Sequence, residues 1–251
     1  PAAEKKAEAA PAEAQPEQKP EAEAEAAKTG TPSSGAYNTL PSQGVDLKGK
    51  KISLGTLNAE SGPAAVIGKR YAQGKRILVE AINDGTLKGL PEGWSIDLVE
   101  RDHAYNPQKS VQAYNEIRER VFFVATSFGT PPTLPLLPHL KRDNLVAFPA
   151  SLSSQMASNR FTPPAGPSYA MEAMRTMDWV VEHAGGADKV KAAIVYQQDD
   201  YGKDGLEGWK KAAAFHKVSI VSEQTVAPGQ KDMTAVVAGL QKAGANYVLL
   251  T

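Results

Sequence analysis

Few residues of this chain are arranged for covalent chemistry. Its four histidines, His103, His139, His183 and His216, lie far apart and show neither metal-ligand nor catalytic-triad spacing. His183 and His216 fall near the C-terminal ends of expected helices, where a partly charged imidazole is favourable. Asp199-Asp200 offers two carboxylates. Adjacent residues in a turn point apart, however, whereas paired catalytic carboxylates converge on one substrate. No GxxxxGK[ST] or GxGxxG loop occurs, so no nucleotide cofactor is expected. Cysteine is absent, which excludes disulfides, thiol nucleophiles and Cys-ligated metals. No enzyme, cofactor or metal site is therefore expected. What remains is a set of polar loops: Asn58-Ala59-Glu60-Ser61-Gly62-Pro63, Ser127-Phe128-Gly129-Thr130, Pro149-Ala150-Ser151 and Gln198-Asp199-Asp200-Tyr201-Gly202. Each supplies hydroxyls or free backbone N–H groups at a helix start, which suits a carboxylate or similar anion. Taken singly, Ser61 and Thr130 also read as helix caps. Four such loops in corresponding places favour a binding site, with Tyr201 as a lid over a small ligand.

The elements that position these loops follow from the apolar pattern. Lys51–Leu57 alternates into a buried strand, and Ser61-Gly62-Pro63 starts a helix with proline in its first turn. Ile67, Tyr71, Gly74, Leu78 and Ala81 recur at helical spacing and are expected to form its packing face, and Asn83-Asp84-Gly85 ends it. Ser95–Glu100 reads as a second strand, followed by a helix from Asn106-Pro107 through Arg120. The apolar run Val121–Ala125 reads as a third strand buried on both faces. Gly129-Thr130-Pro131-Pro132 opens another helix, and Asn144–Phe148 is a fourth strand. The Ser- and Pro-rich stretch 151–168 lacks periodicity and reads as a crossing between two lobes. A second series follows: helix Tyr169–His183, strand Val190–Tyr196, helix Gly205–Phe215, strand Val218–Val226, helix Lys231–Ala243 and a last apolar run, Tyr247–Leu250. Alternation of this kind predicts α/β architecture with parallel sheets, in which ligands bind at the carboxyl ends of strands. With three strands and no helix after the last, the second lobe is expected to be incomplete and the chain truncated.

The 251 residues are 41% hydrophobic with a formal net charge of zero, enough for one large domain or two modest ones. Neutrality argues against a nucleic-acid partner. No apolar run approaches the roughly 18–20 residues that span a bilayer. The expected organisation is a tether over 1–44, a first α/β lobe over 45–165 and a second over 166–251. The tether has no Leu, Ile, Val or aromatic residue before Tyr37, and Pro11, Pro16 and Pro20 interrupt any long helix. Fully extended, residues 1–40 would reach roughly 120 Å at ~3.1 Å per residue. That length suits N-terminal anchoring at a membrane or cell wall, as in a lipoprotein; a plain disordered tail is the alternative.

The order and spacing of several segments carry a family likeness. KISLGTLNAESGPAAVIG, VERDHAYNPQKSVQAYNEI, GTPPTLPLLPHLKRDNLVAFPAS, YQQDDYGKDGLEG and VAPGQKDMTAVVAGLQKAGANYVLL together resemble the leucine/isoleucine/valine-binding family of solute-binding proteins of ABC transporters. The resemblance implies a type I periplasmic binding fold, two Rossmann-like lobes joined by crossing segments that close on a ligand like a hinge. It implies a small polar ligand, an amino acid or amide, a membrane permease as partner, and a periplasmic or cell-surface location. By position, Gly129, Thr130, Ala150 and Ser151 fall where such proteins hold a ligand carboxylate. Tyr201 falls where an aromatic covers the ligand, Ser61 lies in the first binding-side loop, and Tyr169 lines the ligand's amine side. Leu152 stands where a hydroxyl often follows, and Ile67 where the first helix often carries an aromatic. Those two departures, with the long tether, support an alternative: a sensor or structural envelope component using the same fold with a degenerate cleft.

Overall fold

In the computed structural model, which describes residues 42–251, two sheets form from two successive stretches of chain. Residues 1–41, on which almost all of the expected tether falls, lie outside the described residues. The first sheet contains β1 (Val45–Asp46), β2 (Lys51–Asn58), β3 (Ser95–Asp102), β4 (Phe123–Phe128) and β5 (Ala147–Ala150). β3 runs parallel to the whole of β2, from Lys51↔Ser95 to Asn58↔Asp102. The other edge of β2 is divided. β1 pairs antiparallel with Lys51 and Ile52, and β4 continues parallel from Leu54. β5 pairs parallel on the outside of β4. The second sheet contains β6 (Lys191–Gln197), β7 (Ser219–Val226) and β8 (Tyr247–Leu250), all parallel, in the order β7-β6-β8.

Both sheets thus place the first parallel strand of a series between the second and the third. Helices make the crossovers: α1 (Ala65–Asn83) and α2 (Pro107–Ile117) in the first series, α7 (Asp200–His216) and α8 (Thr234–Ala243) in the second. α6 (Tyr169–Ala184) leads into β6. The point where strand order reverses leaves a crevice at the carboxyl ends, which is where open α/β sheets bind ligands.

Two cores hold these layers. In the first, Leu57, Val99, Val124 and Ala147 of the sheet pack against Tyr114 and Ile117 of α2 and against Leu136 and Leu140. In the second, Ala173, Met177 and Val180 of α6 meet Trp209, Ala212 and Ala213 of α7 over Ala192 and Ile194. α6 and α7 approach closely: a Cβ on Gly208 would lie 2.1 Å from the Ala170 carbonyl oxygen.

Several boundaries differ from expectation. β3 extends to Asp102, and α2 stops at Ile117 rather than Arg120. The third strand begins at Phe123, and Phe122 is exposed, so the run from Val121 is not buried on both faces. Phe122, Phe123 and Phe148 form an aromatic ladder there, with ring centroids 5.7 and 5.5 Å apart. The fourth strand is Ala147–Ala150, three residues later than expected at its start. The helix expected from Gly129 is broken into α3 (Thr130–Thr133), a 3₁₀ turn at Leu134–Leu136 and α4 (Leu137–Asp143). Pro135 and Pro138 supply no N–H to a continuous ladder. The crossing stretch contains a short helix, α5 (Ser154–Ala157). α7 begins at Asp200, five residues before the expected start, and α8 begins at Thr234 rather than Lys231.

The packing face expected for α1 is also corrected. Ile67, Tyr71 and Leu78 are exposed, while Gly68 and Ala72 are buried. A Cβ on Gly68 would lie 2.1 Å from the Ala59 carbonyl oxygen, so α1 leans on the sheet along its small residues and presents its large apolar stripe outward.

Candidate functional site

The first-lobe half of the site lies where β4 and β5 end. Gly129 donates its N–H to the Ala150 carbonyl at 3.2 Å, joining the two strand ends. Gly129 has φ +90, a region that disfavours side chains. Beyond it the Thr130 and Ser151 hydroxyls lie 2.6 Å apart, both buried, at 1% and 4% exposure. One hydroxyl donates to the other, so a single O–H remains to donate elsewhere. Neither Thr130 nor Ser61 caps a helix with its side chain. The expected cluster of free N–H groups is reduced here, because Pro131 and Pro132 in the first turn of α3 have none.

The second-lobe half is aromatic. Tyr169 at the start of α6 and Tyr201 in the first turn of α7 meet edge to face, with centroids 4.8 Å apart and planes at 79°. Ser168 caps α6 through its hydroxyl, and Asp199 caps α7 by accepting from the N–H groups of Tyr201 and Gly202 at 3.0 and 3.3 Å. Asp199 and Asp200 are therefore a cap and a first-turn residue, and the α7 N–H groups expected to be free are partly used within the turn. Burial pushes the Tyr169 phenol above its ordinary pKa, against the hydrogen bonding supplied by the Leu152 backbone and the Ser151 side chain. Gly129, Thr130, Ala150 and Ser151 thus lie together at the ends of β4 and β5, and Tyr169 and Tyr201 pack on each other at two helix starts.

Ser61 stands apart from them. Its hydroxyl donates to Asp102 Oδ2 at 2.6 Å, while Asp102 Oδ1 accepts from the N–H groups of Glu60 and Ala104, each at 2.9 Å. Partial burial opposes the shift, but these bonds hold the Asp102 carboxyl below its usual range. Ser61 and Asp102 tie the loop after β2 to the loop after β3.

Two residues here carry little signal in the sequence, Tyr105 and Asp204. Tyr105, in the loop after β3, donates its hydroxyl to Asp199 Oδ2 at 3.3 Å and accepts from Gln197 Nε2 at 3.1 Å. Burial and the Asp199 carboxylate push its phenol well above the ordinary tyrosine value. Its only sequence cue is an aromatic between a strand end and an Asn-Pro helix start; its partners lie 92 and 94 residues away. A buried carboxylate, Asp204, accepts from the N–H groups of Ser154 and Ala170 at 3.1 and 3.2 Å and so joins the starts of α5 and α6. Among the described residues no group of acidic, His or Cys side chains could hold a metal. The outlying histidines serve as supports: His216 Nε2 lies 2.6 Å from Asp178 Oδ1, and His183 stacks on Trp179 at 3.9 Å.

The profile of a family described as "Periplasmic binding protein" matches residues 51–251. The Leu/Ile/Val-binding protein homolog 3 of Brucella melitensis is 28% identical over 203 residues, 78% of this chain and 53% of that protein. Among solved structures, a fatty acid ABC transporter substrate-binding protein from Thermomonospora curvata has a TM-score of 0.75 and 27% identity, covering 84% of this chain and 53% of that one. A branched chain amino acid ABC transporter protein from Thermus thermophilus with bound valine has a TM-score of 0.72 at 23% identity, covering 80% and 52%. This chain spans about half the length of the relatives it matches.

Proposed function

Because the chain belongs to the periplasmic binding protein family, with the type I fold of two Rossmann-like lobes, we propose that it captures a small carboxylate-bearing solute between its lobes outside the cytoplasm and presents it to an ABC transporter permease. The first lobe would span 45–165 and the second 166–251. What supports this reading is the buried Thr130–Ser151 hydroxyl pair at the ends of β4 and β5 together with the Tyr169–Tyr201 pair at the starts of α6 and α7. Hydroxyls at a strand-end crevice suit a carboxylate, and an apolar aromatic pair suits the body of a small molecule. Two relatives point the same way by name, one to Leu, Ile and Val and the other to fatty acids, all of which carry a carboxylate. No step makes or breaks a covalent bond. Ligand drives closure through its preference for the closed state.

Thermal-shift measurement of the full chain against leucine, isoleucine, valine, short fatty acids, their amides and urea tests the reading. The carboxylates are expected to stabilise it, by about 2.7 kcal/mol for a ligand at ~100 Kd, and the amides less. Tyr201→Ala should weaken the best ligand about tenfold or more, the loss expected for a large buried aromatic, with an unchanged far-UV spectrum. No shift with any solute, from folded protein, would favour the sensor or envelope role instead. Unchanged affinity in Tyr201→Ala would remove that residue from the site.

A further inference from the structure

The turn Asp102–Asn106 is held more firmly than a connection between β3 and α2 requires. Asp102 pins it to the preceding loop, as described, and Asn106 donates its N–H to the His103 carbonyl at 2.8 Å. His103 is fully buried, and its Nδ1 accepts the Tyr105 N–H at 3.0 Å. Ala104 and Tyr105 are successive left-handed residues, at φ +54 and +60. Each such non-glycine conformation carries strain that the surroundings must offset. The strained turn delivers the Tyr105 ring onto Gly129, where a Cβ would come within 2.5 Å of a ring carbon. It also delivers the Tyr105 hydroxyl to Gln197 and Asp199 at the carboxyl end of β6. Asp199 is in turn the cap of α7, which carries Tyr201.

We propose that Tyr105 is a cross-cleft latch, which ties the first lobe to the cap of α7 and holds the lobes closed. This rests on the reading of the cleft as a ligand site that closes. Tyr105 is a positioning residue in it: it forms the wall beside Gly129 and fixes how near the second lobe comes. Its two hydrogen bonds need no ligand, so they raise the closed population of the empty protein. A larger closed fraction lowers the free-energy cost of ligand capture and slows release.

The chain has no cysteine, so Lys69→Cys and Glu207→Cys, exposed positions on α1 and α7, place two spin labels unambiguously, one in each lobe. Interlobe distances are then read by pulsed electron resonance without ligand. The parent should show a populated short distance. Tyr105→Phe keeps the ring on Gly129 and removes the hydroxyl; its closed-to-open ratio should fall about tenfold, as for loss of one hydrogen bond to a charged group. Gln197→Met should shift the ratio in the same direction. Identical distributions in parent and Tyr105→Phe would overturn the latch, as would a parent already wholly open. A latch that fails while carboxylates still stabilise the protein leaves the binding reading standing. Opening in Tyr105→Phe with no response to any solute sinks that reading alone.

Discussion

The imidazole of His103 is fully enclosed, and accepting the Tyr105 N–H through Nδ1 leaves its proton on Nε2, which has no partner among the described residues. Burial, opposed by the Asp102 carboxylate and by the carbonyls of Leu57, His103 and Phe128, holds its pKa down at about 4, against about 6.5 in an unfolded chain. Between those values the unfolded chain binds the proton and the folded one does not. The contribution of His103 is therefore whole above pH 6.5 and is lost as pH falls toward 4, a change of about 3 kcal/mol over the window. Urea unfolding of the parent and of His103→Asn from pH 4.5 to 7 should show a steeper decline in the parent. Asn keeps an acceptor for the Tyr105 N–H but does not titrate, so parallel curves would refute the assignment. From sequence, His103 is one isolated histidine among four. Nothing in its neighbours announces that it props up a turn, because the enclosing groups come from β2 and β4.

At the scale of elements, the alternation of strands and helices was legible because apolar periodicity survives in a single sequence. The order of β2 through β8 and the placing of four polar loops at helix starts both follow from it. What was not legible depended on which side of an element is covered. α1 has a clear apolar stripe, yet Gly68 and Ala72 are buried while Ile67 and Leu78 are exposed; periodicity locates a stripe but not the layer above it. Asp204 illustrates the same limit: within α7 it looks like an ordinary helical carboxylate, and only the fold brings two other helix starts to it. Asp204→Ala leaves the N–H groups of Ser154 and Ala170 without their acceptor, and should destabilise the protein by about 1–3 kcal/mol. Asp204→Asn keeps an acceptor oxygen and should recover most of that loss. Chemical denaturation distinguishes the two, and equal midpoints for both variants would show that acceptance by Asp204 contributes little.

For the whole molecule, charge balance and the absence of cysteine narrow function by exclusion, whereas the proposed site needs both lobes at once. The family likeness assigns Gly129, Thr130, Ala150 and Ser151 by position, and the structure brings the four together across a strand pair; the partners of Tyr105 lie about 90 residues away and leave no local trace. Among the described residues each sheet is built from a continuous stretch of chain, residues 45–150 for the first and 191–250 for the second, with no strand exchanged between them. Cooperativity across the molecule then rests on thin connections, Asp204 and the Tyr105 contacts among them. Trp179 and Trp209 report on the second lobe and Trp94 on the first. In urea, tryptophan fluorescence and far-UV circular dichroism are expected to follow different midpoints, since two-state behaviour requires probes to coincide. Coincident curves would mean that the two halves melt as one unit despite their separate construction.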